Sequence, residues 1–229
     1  MPRKPRFFLP DIPIHVVIRG NARHVVFAEA SDRQVYLVWL KEASEKEKVH
    51  VHAYVLMDNH VHLLLSTSEP SHISRFMQHI GRKYVPYFNN KYGKSGTLWE
   101  GRFKGCMIES EQYLLCCYRY IELNPVRANM VKKPEEWKWS SYACNAYGES
   151  NKLIKPHKVY LAIDKDNKKR VDYYRESFKQ VLDSSLIEDL RSAVQTGTPL
   201  GNDRFKEEVE ELLGVKVGYA RRGRPKNRG

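Results

Sequence analysis

Residues 49–66 constrain the fold more than any other stretch. Two runs rich in β-branched and apolar residues, 49–56 and 60–66, flank Asp58-Asn59, a pair suited to a tight turn. They predict an antiparallel hairpin. A hairpin needs further strands and a covering layer before its apolar side is buried. Within it His60 and His62 stand two apart, so both project from one face of a strand. Two imidazoles held side by side could ligate one divalent metal ion. With a two-residue turn, Met57 pairs with His60 and Val55 with His62. The other histidine pair, His50 and His52, then falls on the opposite face, outside that site; a three-residue turn would reverse this. Covered structural histidines are the preferred reading of His50 and His52.

The remaining elements follow from local signals. Ile14-His15-Val16-Val17-Ile18-Arg19 predicts a first strand, ended by Gly20-Asn21. Ser31-Asp32 is a candidate N-cap, and Val35, Leu37, Val38 and Leu40 at helical spacing carry a helix to about Lys46. Ile73, Phe76, Met77, Ile80, Tyr84 and Phe88 predict a second helix with a kink at Pro86. Its other side carries Arg75, Arg82 and Lys83. Residues 89–101 read as a Gly- and Lys-rich loop holding Trp99, and 103–108 as a fourth strand. Ser110 is expected to cap a third helix over 111–123, which stops at Asn124-Pro125 because the residue before proline disfavours the α region. The order predicts an α+β, ferredoxin-like (RRM-like) split βαβ fold. Its four-stranded antiparallel sheet is backed by helices, with one extra helix. Trp137, Trp139 and Tyr142 are expected to anchor the next segment. The expected divisions are a main domain over 1–145, a charged linker-like segment over 146–172 and a small helical extension over 173–215. A basic tail over 216–229 is expected to be disordered when unbound.

Charge narrows the partner. Lys and Arg number 39 against 27 Asp and Glu, a net charge of +12, which suits a polyanion such as nucleic acid. No apolar run approaches the ~20 residues of a bilayer span, and the basic N-terminus lacks a signal-peptide apolar segment. The expected location is cytoplasmic and nucleoid-associated, with no membrane partner. Cys106, Cys116, Cys117 and Cys144 show no CxxC spacing and read as buried thiols.

On the third helix Tyr113, Cys117, Tyr120 and Asn124 form one stripe. Leu114, Tyr118 and Ile121 form the neighbouring one, better suited to packing on the sheet. A phenol and an amide one turn apart, facing a histidine pair, suit a metal-assisted tyrosine nucleophile. Helix position alone favours a core tyrosine and a C-terminal capping asparagine.

Three separated motifs carry a resemblance over roughly residues 12–145. Asn59-His60-Val61-His62 before an apolar run resembles the His-hydrophobe-His motif of the single-tyrosine (Y1) transposases related to IS200/IS605. Tyr120-Ile121-Glu122-Leu123-Asn124-Pro125-Val126-Arg127-Ala128 resembles their tyrosine helix, most closely in the REP-associated tyrosine transposases. Leu98-Trp99-Glu100-Gly101-Arg102-Phe103 is similar to a further segment of that branch. The resemblance implies a metal-dependent enzyme that cleaves and transfers single-stranded DNA. His60, His62 and Asn124 would hold Mg²⁺ or Mn²⁺, and Tyr120 would form a 5′-phosphotyrosine. Covalent catalysis conserves the bond energy, so no nucleotide cofactor is expected, in keeping with the lack of a GxxxxGK[ST] loop. The implied substrates are single-stranded or hairpin DNA from repeated extragenic palindromes, handled by a monomer or homodimer. Asp58, where proline is frequent, and Pro86 depart from the commoner pattern, and Asp58 could add a charge near the metal.

Lys91, Lys94, Arg102 and Lys104 around Trp99, with Arg82 and Lys83, suit phosphate contacts and base stacking; a solvated loop over a buried Trp99 stands beside that reading. Arg222-Gly223-Arg224-Pro225 matches the core of an AT-hook, with a nonspecific phosphate-binding tail as the alternative. Two rival functions remain: a non-catalytic DNA-binding regulator on the same fold, and a metal-dependent hydrolytic nuclease.

Overall fold

The structure is a computed structural model, and it describes residues 7–109 and 113–217. The strands are β1 (Ile14–Arg19), β2 (His50–Leu56), β3 (His60–Ser66) and β4 (Lys104–Met107). They form one sheet in the order β2-β3-β1-β4, with every ladder antiparallel. Helices α1 (Ala30–Glu47) and α2 (Ser71–Lys91) occupy the two crossovers. This is the split βαβ arrangement that the sequence predicts.

Alternation along the strands gives the sheet two apolar faces. Val16, Tyr54, Leu56, Val61, Leu63 and Leu65 pack with Tyr36 and Leu40 of α1 and with Phe76, Ile80 and Tyr84 of α2. Val17, Ala53, Val55, Leu64 and Cys106 face the other way, toward α3 (Leu114–Glu122) and the C-terminal helices. Removing such side chains from water contributes ~1.5–3 kcal/mol for each fully buried Leu, Val or Phe.

Local differences from the sequence reading have physical causes. Glu29, not Ser31, caps α1, because Asp32 at N3 accepts the Glu29 amide at 2.9 Å in a reciprocal capping box. Pro86 sits on the exposed side of α2, and the helix runs unbroken to Lys91. The Ser110 cap lies outside the described residues. Past Leu123 the chain keeps helical dihedrals and makes one further turn, α4 (Asn124–Arg127).

The hairpin closes through a two-residue turn, with the Met57 amide donating to the His60 carbonyl at 2.9 Å and Val55 paired with His62. A β-bulge between Val51 and Ala53 then inserts His52 as an extra residue. This overturns the opposite-face placement of His50 and His52. His50 pairs with Ser66, and His52 Nε2 meets Ser66 Oγ at 2.8 Å, on the face that carries His60 and His62. Distance along the strand keeps the pairs apart, since six residues at ~3.3 Å each separate Ser66 from His60. His52 Nδ1 donates to the Lys155 carbonyl at 2.6 Å, so its ring is structural.

The C-terminal part is more ordered than the expected linker. Helices α5 (Tyr142–Tyr147), α6 (Lys158–Leu161) and α7 (Asn167–Ser177) bury Tyr142, Tyr160 and Tyr174 in the second core. Within the charged stretch 164–170, Asp166 caps α7 by accepting from the Lys168 and Lys169 amides. Within the helical extension expected over 173–215, α7 ends at Ser177, and Asp183 caps a separate α8 (Ser184–Thr196). Leu200 then lies parallel to the free edge of β4, donating to Met107 O and accepting from the Glu109 amide, both at 2.8 Å. Beyond it α9 (Asp203–Leu213) buries Val209 in the first core. The extension therefore wraps the β4 edge from one sheet face to the other.

Candidate active site

β1 and β3 are neighbours, with Val17 opposite His62 and Arg19 opposite His60. Strand alternation therefore places His15, Val17 and Arg19 on the face that carries His60 and His62. α3 covers this face. Between sheet and helix lies a cavity of about 300 Å³ lined by His60, His62, Tyr120, Asn124, Arg19 and Arg127. A further wall is α8, through Arg191, Val194 and Gln195.

Tyr120 is only 4% exposed. Its ring stands edge-on to His62, with centroids 5.8 Å apart, and edge-on to His15 at 5.7 Å. The Arg127 guanidinium lies 4.2 Å from the phenol centroid and donates to the Tyr120 carbonyl at 3.2 Å. Asn124 Nδ2 donates to the same carbonyl at 2.9 Å, which leaves Oδ1 as the end of the amide available to the cavity.

Each histidine of the pair has one nitrogen engaged away from the cavity. His60 Nδ1 meets Asn59 Oδ1 at 2.6 Å, and Asn59 Nδ2 donates to the Arg23 carbonyl at 3.1 Å. His62 Nδ1 meets His15 Nε2 at 2.8 Å. The two rings lie 5.0 Å apart. Burial, then the charge of Arg19, pushes His60 down to about 4. Burial also pushes His62 well below its ordinary range, helped by His15 and His60. Neutral imidazoles with free Nε2 lone pairs are the form that a divalent ion requires. Among the described residues no group of three or more His, Cys, Asp or Glu side chains is placed to hold a metal. The remaining donor in this cavity is the neutral amide oxygen of Asn124. Two imidazoles and one amide oxygen leave room for water and phosphate oxygens, so the donor set fits a divalent metal ion.

The backbone explains how the pair is held. Gly20 donates to the Asn59 carbonyl at 2.8 Å. A Cβ there would come within 2.3 Å of the His24 carbonyl oxygen, so only glycine permits this approach. Leu98-Trp99-Glu100 braces the same corner, with Glu100 N donating to Arg19 O and Asn21 N to Leu98 O, each at 2.9 Å.

The basic residues singled out from the sequence separate into groups. Lys104 lies beside the cavity wall and donates to Gln195 of α8. Arg82, Lys83 and Lys91 sit on α2, across the sheet from Tyr120. Lys83 pairs with Glu42, and Lys91 with Glu29 and the buried Asp32. Lys94 stacks on Phe88, and Arg102 is exposed in the loop before β4. Trp99 is 7% exposed and stacks on Tyr84, so it is a core residue and offers no surface for base stacking. Arg222 and Arg224 lie outside the described residues. Asp58 adds no free charge to the site, because Arg33 pairs with it. The sequence reading missed His15, Arg19, Arg127, Arg191 and Gln195. Same-face alternation from Val17 could have flagged His15 and Arg19, and the i+7 spacing from Tyr120 could have flagged Arg127. Nothing local marks α8.

A family model described as "Transposase IS200 like" matches residues 9–124. A search of the curated proteins found no match. Among solved structures, the chain is similar to a REP-associated tyrosine transposase bound to a REP hairpin. That likeness has a TM-score of 0.54 and 19% identity, covering 69% of this chain and 93% of that one. It is also similar to a putative transposase from Deinococcus radiodurans, with a TM-score of 0.38 and 17% identity over 59% of this chain and 97% of the other.

Proposed function

The chain belongs to the IS200-like transposase family, and on that premise we propose that it cleaves and rejoins single-stranded DNA through a covalent bond to Tyr120. The observation that carries the reading is convergence. One cavity holds a buried phenol, two imidazoles that burial keeps neutral, an amide and the Arg19 and Arg127 cations.

His60, His62 and Asn124 are the residues that would hold a divalent ion, Mg²⁺ or Mn²⁺. A divalent ion bound by them would supply Lewis-acid polarisation of the phosphoryl oxygens. Arg127 and Arg19 supply fixed positive charge for the incoming phosphodiester. The Tyr120 oxygen attacks phosphorus and the bond from phosphorus to the 3′ oxygen breaks. The phenol loses one proton and the departing 3′ oxygen gains one, so the step is proton-neutral. The downstream strand stays on Tyr120 through its 5′ phosphate. Attack by another 3′-hydroxyl reverses the step and rejoins strands, so no nucleotide cofactor is consumed. The relative solved with a REP hairpin makes hairpin-forming palindromes the substrate to try first.

The test is incubation with hairpin-bearing single-stranded DNA and Mn²⁺, followed by a denaturing gel. A covalent adduct is expected with the unaltered chain, with Tyr113→Phe and with Tyr118→Phe, and none with Tyr120→Phe. An adduct surviving Tyr120→Phe overturns the assignment. Cleavage without an adduct would instead mark a hydrolytic nuclease, and binding without cleavage a DNA-binding regulator.

A further inference from the structure

His15 sits on β1 between Ile14 and Val16, with Leu64 and Cys106 as its backbone neighbours on β3 and β4. It is 1% exposed. Packing alone would put valine or leucine at such a position, since burying a polar ring costs free energy unless its nitrogens find partners. Only one of them does. His15 Nε2 meets His62 Nδ1 at 2.8 Å, while His15 Nδ1 is buried without a partner among the described residues. The ring also stands edge-on to Tyr120 at 5.7 Å.

We infer that His15 is a positioning residue: its Nε2 accepts the Nδ1–H of His62 and fixes the tautomer in which His62 turns a bare Nε2 toward the cavity. This rests on the metal-site reading above. The neutral His15 ring then carries its own proton on Nδ1, the nitrogen left without an acceptor. The position therefore sacrifices its own hydrogen bonding to orient His62. Asn59 plays the matching part for His60, with an amide oxygen in place of an imidazole nitrogen. Partners of this kind, one step behind the ligand, set both the tautomer and the ring orientation. Among the described residues His15 is the hydrogen-bond partner of His62 Nδ1, so without it no contact there distinguishes the two neutral tautomers.

Two measurements test this on the full chain. The first is ¹⁵N NMR of the histidine rings without metal. His62 is expected as the Nδ1–H tautomer in the unaltered chain and in His15→Gln, whose side-chain oxygen can accept the same proton. In His15→Leu, similar in size but unable to accept, His62 is expected to shift toward Nε2–H. The second is calorimetric titration with Mn²⁺. His15→Leu should bind roughly 10–100-fold more weakly, His15→Gln within a few-fold of the unaltered chain, with no loss of metal-free Tm in the leucine variant. An Nε2–H His62 in the unaltered chain overturns the inference, as does unchanged Mn²⁺ affinity in His15→Leu. Failure of the unaltered chain to bind Mn²⁺ would remove the metal site, while the tautomer comparison would still decide the role of His15. Should His15→Leu not fold, the unaltered tautomer and the glutamine variant decide.

Discussion

Buried histidines stay neutral in this chain, in the cavity beside Tyr120 and away from it, and that has a measurable cost in acid. Burial holds His15 and His52 down to about 3 and His60 to about 4, and holds His62 well below its ordinary value. An unfolded chain takes up protons on these residues near 6.5, whereas the folded one does not. The histidines' contribution to folding stability is therefore complete above about 6.5 and is lost as pH drops toward about 3. Glu122 has the opposite sign. Burial raises it to about 7, so it sheds stability as pH rises from 4.5 to about 7. Each group contributes at most about 1.4 kcal/mol per pH unit, so four histidines outweigh one carboxyl. The metal-free Tm should fall steeply between pH 6.5 and 5, and a flat profile would contradict the buried neutral histidines. Gly20 gives a second expectation at this scale. Gly20→Ala forces a Cβ against the His24 carbonyl and pushes on the Asn59 turn. Tm should drop by several degrees and Mn²⁺ affinity should weaken with it, as read by calorimetry.

Among the elements, α3 matters most, because it faces the sheet with Tyr120 and the extension with Glu122. Glu122 is fully buried and accepts from Ser141 Oγ at 2.5 Å, Asn145 Nδ2 at 2.8 Å and Tyr174 OH at 2.8 Å. It ties α3 to α5, α7 and the segment before α5. Glu122→Ala leaves these donors unpaired, at ~1–3 kcal/mol each. A loss of 3 kcal/mol or more in urea unfolding is expected, with Glu122→Gln losing much less. Equal losses in both variants would mean that volume, not hydrogen bonding, sets the cost. This scale also shows what the sequence could disclose. The hairpin turn, β1, α1 and α2 were legible because their signals are local: a turn pair, alternation, helical spacing. The pairing of His60 with His62 was legible because both lie on one strand, and that of Tyr120 with Asn124 because they stand one helical turn apart where α3 runs on into α4. The bulge at His52 was not, since one extra residue leaves no mark on a run of β-formers. Nor was the burial of Trp99, because an indole in a basic loop suits a core or a surface equally. The start of α7 hid in the charged stretch 164–170, and the apolar residues after it, Val171 and Tyr174, are buried against parts of the chain far away in sequence.

At the scale of the whole molecule, the C-terminal extension completes the sheet and the cavity alike. Leu200 occupies the open edge of β4, and Leu190 and Val194 of α8 lie in the second core. A chain truncated at Leu182 would expose a strand edge and an apolar patch together, a combination that promotes self-association. Size-exclusion chromatography should show aggregation and thermal melting a clear fall in Tm; a monodisperse truncation with unchanged Tm would mean that the extension is an appendage. The same architecture has a consequence for biosynthesis. Arg191 follows Tyr120 by 71 residues. At roughly 5–20 residues per second, a ribosome takes several seconds to cover that span. For nearly all of it the nascent chain already carries its histidines, phenol and amide, but the wall built from α8 has not been made. Limited proteolysis of chains arrested on either side of Arg191 should find α3 cleavable before that point and protected after it.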